Sequence, residues 1–166
     1  MTANNHWIDN SQQLAELCEQ LQHATELAID TEFMRSDTFY AKLALIQLSD
    51  GEQCWLIDTP AIKELQPLTQ LLNAAELTLV FHSCGEDLEV LDQVLSVRPK
   101  KLFDSQIAAG IVNIGYSMGY ARLVENMLQI ELGKEDTRSD WLARPLSDRQ
   151  KLYAADDVLY LYKIYK

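Results

Sequence analysis

Cysteine is scarce in this sequence, and its three copies, Cys18, Cys54 and Cys84, are far apart and odd in number. That excludes a disulfide framework and a C-x-x-C metal site, and leaves three reduced, partly buried thiols. Glycine and proline are also few, at 6 and 4, and neither a low-complexity tract nor an internal repeat is present. With 48% hydrophobic residues the chain is rich enough in apolar side chains to fold, which excludes disorder. No segment approaches the roughly 20 apolar residues of a membrane span, and "MTANNHWIDNSQQL" lacks a basic stretch followed by an apolar run. The expectation is a soluble cytoplasmic protein with no membrane partner. Positive charge is lacking too: 14 Lys and Arg stand against 25 Asp and Glu, a net charge of -11. Such a surface repels polyanions, which counts against a simple nucleic-acid-binding module. It does not count against an enzyme whose carboxylates hold divalent cations, because the cations reverse the local field.

What is present reads as one domain of 166 residues without a composition break. From Ser11 to about Ala24, Leu14, Leu17, Cys18 and Leu21 recur at helical spacing, with Ser11 a candidate N-cap. Three short runs follow, "LAIDTEF", "LALIQLS" and "CWLID", divided by polar turns such as "SDGEQ", and these predict consecutive antiparallel strands. Leu65 to Leu72 predicts a helix, "LTLVF" a buried strand, and "EDLEVLDQVL" another helix. A short strand around Leu102 and Phe103 then precedes helices over 105–111, 119–129 and 147 to the end. Three antiparallel strands followed by helix-linked parallel strands make an α/β fold, a mixed sheet of the ribonuclease H-like kind with helices on both faces. The last helix, "YLYKIYK", has no Gly or Pro stop, so the domain is expected to continue into a longer protein.

Three places carry acids that could act together. In "LAIDTEF", Asp30 and Glu32 lie on one strand face about 6 to 7 Å apart. Two like charges there raise each other's pKa unless a cation sits between them, and hard oxygen ligands suit a divalent ion; a solvated strand end reads the same way. In "LVFHSCGEDLEVL", Asp87 falls in the first turn of a helix, favoured there by the helix dipole, yet also where ligands gather at strand ends of an open α/β sheet. In "RQKLYAADDVLYLY", Tyr153 and Asp157 are four apart and share a helix face, although Tyr153 also reads as core. Asp156 points about 100° away from Asp157, so the tyrosine spacing selects Asp157.

Taken together, "DTEF", "HSCGEDLEVL", "SDWLARPLS" and "YAADDVLYLY" closely resemble the tyrosine branch of the DEDD exonucleases, and within it the bacterial ribonuclease D group, over about residues 7–166. The resemblance implies a DEDD-type 3′–5′ exonuclease domain whose Asp30, Glu32, Asp87 and Asp157 hold two divalent metal ions, Mg²⁺ or Mn²⁺. It implies that Asp30 bridges them, that Glu32 and Asp157 complete one ion, and that Asp87 reaches the other. Such a pair can both generate a nucleophile from water and stabilise charge on the attacking and leaving oxygens. Tyr153 is then the family's tyrosine, orienting the attacking water; phenols ionise near pH 10, which suits orientation better than proton abstraction. Glu32 and Phe33 are expected at the terminal 3′-hydroxyl and last base, with Gln47 and His82 as further substrate-binding candidates. The partner implied is RNA with a free 3′ end, such as tRNA precursors, trimmed to nucleoside 5′-monophosphates. It further implies helical nucleic-acid-binding domains that follow the exonuclease domain and are absent from this sequence.

Competing motifs fail on chain order. "GYSMG" at 115–119 matches the G-x-S-x-G nucleophile elbow, but that fold places its histidine after the serine, whereas His6, His23 and His82 all precede Ser117. Ser117 reads instead as the cap of the following helix. A zinc deaminase is excluded because "HSCGE" has no P-C-x-x-C partner. Two readings stand beside the exoribonuclease: a 3′–5′ exodeoxyribonuclease of the proofreading or Werner type, using the same carboxylates, and a catalytically silent ribonuclease H-like interaction domain.

Overall fold

The computed structural model describes residues 4–35, 40–133 and 139–166. Its centre is a six-stranded sheet formed by β1 (Asn4–Ile8), β2 (Glu26–Met34), β3 (Lys42–Ser49), β4 (Gln53–Ile57), β5 (Thr78–Phe81) and β6 (Lys101–Asp104). The strand order is β1-β4-β3-β2-β5-β6. As expected from the sequence, β2, β3 and β4 are antiparallel neighbours, while β5 and β6 add in parallel. β1 was not expected. "NNHWI" is too short and polar at one end to show an alternation, and it becomes a strand by pairing in parallel with β4 at the sheet edge.

Among the described residues six α-helices cover the two faces: α1 (Ser11–Gln20), α2 (Gln66–Leu72), α3 (Gly85–Leu95), α4 (Ser105–Ile111), α5 (Tyr120–Leu128) and α6 (Asp148–Tyr165). On one face, Leu14 and Leu17 of α1, Leu68 and Leu72 of α2, and Val90 and Leu91 of α3 pack on Leu27, Ile29, Ile46 and Leu79. The other face belongs mainly to α6. There Ala154, Ala155, Val158 and Leu161 meet Ala28, Ala44, Leu45, Leu56 and Val80, with Trp141 and Leu146 from the preceding segment. Alanines on both sides of this contact bring α6 close to the sheet, and the polar residues of α6 come with it.

Two caps differ from the expectation. The N-cap of α1 is Asn10, whose side chain accepts from the Gln13 N–H, not Ser11. The N-cap of α5 is Gly119, and Ser117 stands two residues earlier at a positive φ of 49°. The start of α6 is fixed more firmly, by a capping box in which Ser147 and Gln150 satisfy each other's backbone N–H. The segment before it is anchored by Arg144, whose guanidinium donates to both oxygens of the buried Asp58 at 2.8 and 2.6 Å and to the Ala44 carbonyl at 2.9 Å. Among the described residues no helix is long and apolar enough to cross a membrane.

Candidate active site

β2 outlives its neighbour. Its pairing with β5 joins Glu26, Leu27 and Ala28 to Thr78, Leu79 and Val80, so Asp30 and Glu32 stand beyond it, next to the end where β5 turns into α3. Strand alternation places Ala28, Asp30 and Glu32 on the α6 face. A register shift between Glu32 and Phe33 ends the regular pairing with β3 just past the two acids, the kind of bulge that re-aims side chains beside a site.

From above, α6 lowers Asp157 onto this strand. Carboxylate oxygens of Asp30, Glu32 and Asp157 lie within 4.8 Å of one another, although the residues come from opposite ends of the chain. Asp87 stands apart from that trio: its Oδ1 accepts the Thr31 hydroxyl at 2.5 Å, which ties the first turn of α3 to the opposite face of β2. Its charge still reaches Asp30. Burial pushes the Asp30 carboxyl well above the usual carboxylate range, and Asp87, Asp157 and Glu32 push it further in the same direction. Burial also raises Asp87, against the opposing hydrogen bond from Thr31. A set of hard oxygen donors that repel one another at this distance fits a divalent cation, whose charge removes the cause of the repulsion.

Beside the carboxylates lies a cavity of about 470 Å³. Asp30, Tyr153 and Asp157 form its acidic wall, while Tyr120, Leu132, Leu152 and Leu161 give it an apolar one. Tyr153 sits one helical turn before Asp157, half-buried, with its ring 6.0 Å from the buried Trp141 ring. Tyr153 thus packs against the core and also lines the cavity.

The substrate-binding candidates fare unevenly. His82 lines the cavity, with Nδ1 2.9 Å from the Ser105 hydroxyl and its ring edge-on to Tyr120. Burial lowers its pKa, against the opposing pull of Asp104. Phe33 is half-buried, packs against the α1–α3 core, and is not in the cavity wall. Gln47 corrects the sequence reading. It is 0% exposed and lies directly opposite Asp30 in the β2–β3 register, so it backs the carboxylate and cannot touch substrate from there. A polar residue in a central strand covered on both faces is buried by the layers, which its own neighbours in sequence do not reveal.

Two contributors escaped the sequence reading. Tyr120 lines the apolar wall and donates its hydroxyl to the Asp156 carbonyl at 2.9 Å, joining α5 to α6 behind the site. Asp104 holds the loop after β5, accepting from the Ser83 and Cys84 N–H groups at 3.1 and 2.9 Å while also capping α4 at Gln106 and Ile107. A signal for Asp104 was available, since Asp before Ser-Gln is an N-cap pattern. Nothing in the spacing of Tyr120 marks it.

Comparison with known proteins agrees with this geometry. A family model described as a 3′-5′ exonuclease matches residues 5–166. Ribonuclease D of Pseudomonas paraeruginosa is 45% identical over 159 residues, 96% of this chain and 42% of that protein. The crystal structure of Escherichia coli RNase D, described as an exoribonuclease involved in structured RNA processing, superposes with a TM-score of 0.93 at 42% identity, over 98% of this chain and 43% of that one. Brucella melitensis NrnC with bound Mg²⁺ superposes with a TM-score of 0.77 at 27% identity, over 99% and 79% of the two chains. The chain thus spans about two fifths of the length of the curated relatives it matches.

Proposed function

Since the chain belongs to the 3′–5′ exonuclease domain family, we propose that it removes nucleotides one at a time from the 3′ end of RNA by metal-dependent phosphodiester hydrolysis, releasing nucleoside 5′-monophosphates. The observation that carries this reading is the meeting of Asp30, Glu32 and Asp157 within 4.8 Å at the wall of a cavity that Tyr153 also lines. Two divalent ions, Mg²⁺ or Mn²⁺, would supply an activated water and neutralise charge on the attacking and leaving oxygens. Asp30, Glu32 and Asp157 would hold one of them, and Asp87 would serve the other, directly or through water.

The protein's own groups do the rest. Tyr153, one turn from Asp157, lines the same cavity and orients the attacking water. Tyr120, Leu132 and Leu152 offer the terminal nucleobase an apolar surface on which stacking is tolerant of sequence. Glu32 and the backbone at Phe33 receive the 3′-hydroxyl, and His82, hydrogen-bonded to Ser105, lines the same cavity. The similarity to ribonuclease D supports RNA with a free 3′ end as substrate, tRNA precursors among them, with the cytoplasm as the place of action.

The test is a ladder. Incubated with Mg²⁺ or Mn²⁺, 5′-labelled RNA ending in a 3′-hydroxyl should shorten stepwise, a 3′-phosphate should block it, and a 5′-phosphate should not matter. Cleavage of circular RNA would refute the exonuclease assignment, shortening of DNA alone would replace RNA by DNA, and no metal-dependent turnover would leave a silent domain.

A further inference from the structure

Among the described residues that line the cavity, Arg149 is the one permanent cation, in a chain whose net charge is -11. It stands in register with the chemistry. Arg149, Tyr153 and Asp157 follow one another at four-residue intervals on α6, so they share one helix face, with about 12 Å of helix axis between the first and the last. α6 begins at Asp148, which puts Arg149 in the first turn, where the positive end of the helix dipole disfavours a cation. The exposed N–H groups of that turn are served by the Ser147–Gln150 capping box. Lys151, the other cation there, lies over the Trp7 ring, 5.1 Å from its centre.

We propose that Arg149 binds a backbone phosphate of the retained strand, 5′ of the linkage being cut. This rests on the exonuclease reading above. The chemistry of the end decides which phosphate it is: a strand with a 3′-hydroxyl carries none beyond its last nucleoside. The scissile phosphate belongs at the carboxylates, so any other phosphate held by this protein lies in the nucleotides that stay. A residue two helical turns from Asp157, exposed at the cavity mouth, meets the strand as it leaves the site. The guanidinium fork matches two phosphate oxygens at once. Three functions then lie in order along α6: metal binding at Asp157, water orientation at Tyr153, strand capture at Arg149. Released mononucleotide has no upstream phosphate and gains nothing from Arg149, so the contact favours substrate over product and longer strands over the shortest.

The experiment reads binding separately from turnover. Fluorescence anisotropy in Ca²⁺ follows a 3′-hydroxyl RNA oligonucleotide on wild type, Arg149→Gln and Arg149→Lys, across a salt series, with each upstream linkage replaced in turn by a neutral methylphosphonate. Arg149→Gln should bind roughly tenfold more weakly, and its log–log salt slope should shrink by about 0.7, the value for one phosphate contact on a single strand. Arg149→Lys should keep the slope and recover part of the affinity. One upstream methylphosphonate should weaken wild type as the glutamine does and weaken Arg149→Gln no further. The proposal is overturned if wild type binds no RNA, if slope and affinity survive in Arg149→Gln at an unchanged melting temperature, or if every methylphosphonate effect simply adds to the mutation. Failure of the exonuclease reading shows elsewhere, as RNA bound by wild type but not shortened in Mg²⁺.

Discussion

Replacing Asp104 tests whether the site is held from outside its own carboxylates. Asp104 is 7% exposed, and its carboxylate collects four backbone N–H groups: Ser83 and Cys84 in the loop that leads from β5 to α3, and Gln106 and Ile107 at the start of α4. Burial alone would raise its pKa, but these bonds together outweigh it and hold the carboxyl below the usual range. In Asp104→Ala the α4 cap is lost, at about 1 kcal/mol. The two loop N–H groups lose their partner at roughly 1–3 kcal/mol each where they remain buried. The sum is about 3–7 kcal/mol. Asp104→Asn keeps the oxygen that serves Ser83, Gln106 and Ile107 and loses the acceptor for Cys84, so it should cost about 1–2 kcal/mol.

The sign of the pH dependence separates this account from a packing effect. A carboxyl whose folded pKa is lowered stabilises the fold above its unfolded pKa, and that contribution disappears as pH falls through the folded value. The stability gap between wild type and Asp104→Asn should therefore be constant from neutral pH down to about 5 and narrow below about 4. Urea unfolding at a series of pH values measures it. A loss under about 1 kcal/mol in Asp104→Ala, or a gap that stays constant as pH falls to 2, would refute the reasoning.

Two further outcomes follow from the site itself. Asp30→Asn should raise the melting temperature of the metal-free protein, by about 2–4 °C per kcal/mol regained, and abolish the further rise on adding Mg²⁺ or Mn²⁺. The sign follows from Asp30 being raised: its unfavourable ionisation is felt as pH climbs through the folded pKa, so calorimetry should show the two proteins converging in acid. Tyr153→Phe keeps the ring beside Trp141 and should melt within a degree or two of wild type. Single-turnover RNA cleavage at saturating metal should fall by roughly 10²-fold if the phenol orients water, and near-normal cleavage would remove it from the mechanism.

Much of this site was legible from two periodicities. The strand period placed Asp30 and Glu32 on one face, and the helix period placed Tyr153 and Asp157 on another; the structure brings those faces together through the alanines of α6 and β2. What the periods could not reveal is which layers close over a residue. Gln47 looked available because it is polar, yet β3 lies third in a six-stranded sheet covered on both faces. β1 is a strand only because β4 offers it an edge. Tyr120 and Arg149 reach the cavity because α5 and the first turn of α6 border the same space, a fact of tertiary packing that no spacing within "GYARL" or "SDRQ" encodes.

The buried polar groups without hydrogen-bond partners say where this fold departs from maximal stability. Among the described residues these include both side-chain atoms of Gln47, Nε2 of His82 and Nε1 of Trp141. Gln47 faces Asp30 across two strands, His82 lines the cavity, and Trp141 lies against Tyr153. Each unsatisfied buried group costs about 1–3 kcal/mol, and the apolar core around α1–α3 carries no comparable fault among the described residues. Among the described residues, the groups left wanting gather around one cluster of repelling carboxylates, which is not a random imperfection. The deficits lie beside the carboxylates that a cation can engage: an imidazole nitrogen at the cavity wall and a carboxamide packed beside Asp30. Stabilising any of these positions with an apolar residue should therefore yield a protein that melts higher and works less, which places the site's chemistry and its thermodynamic cost on the same atoms.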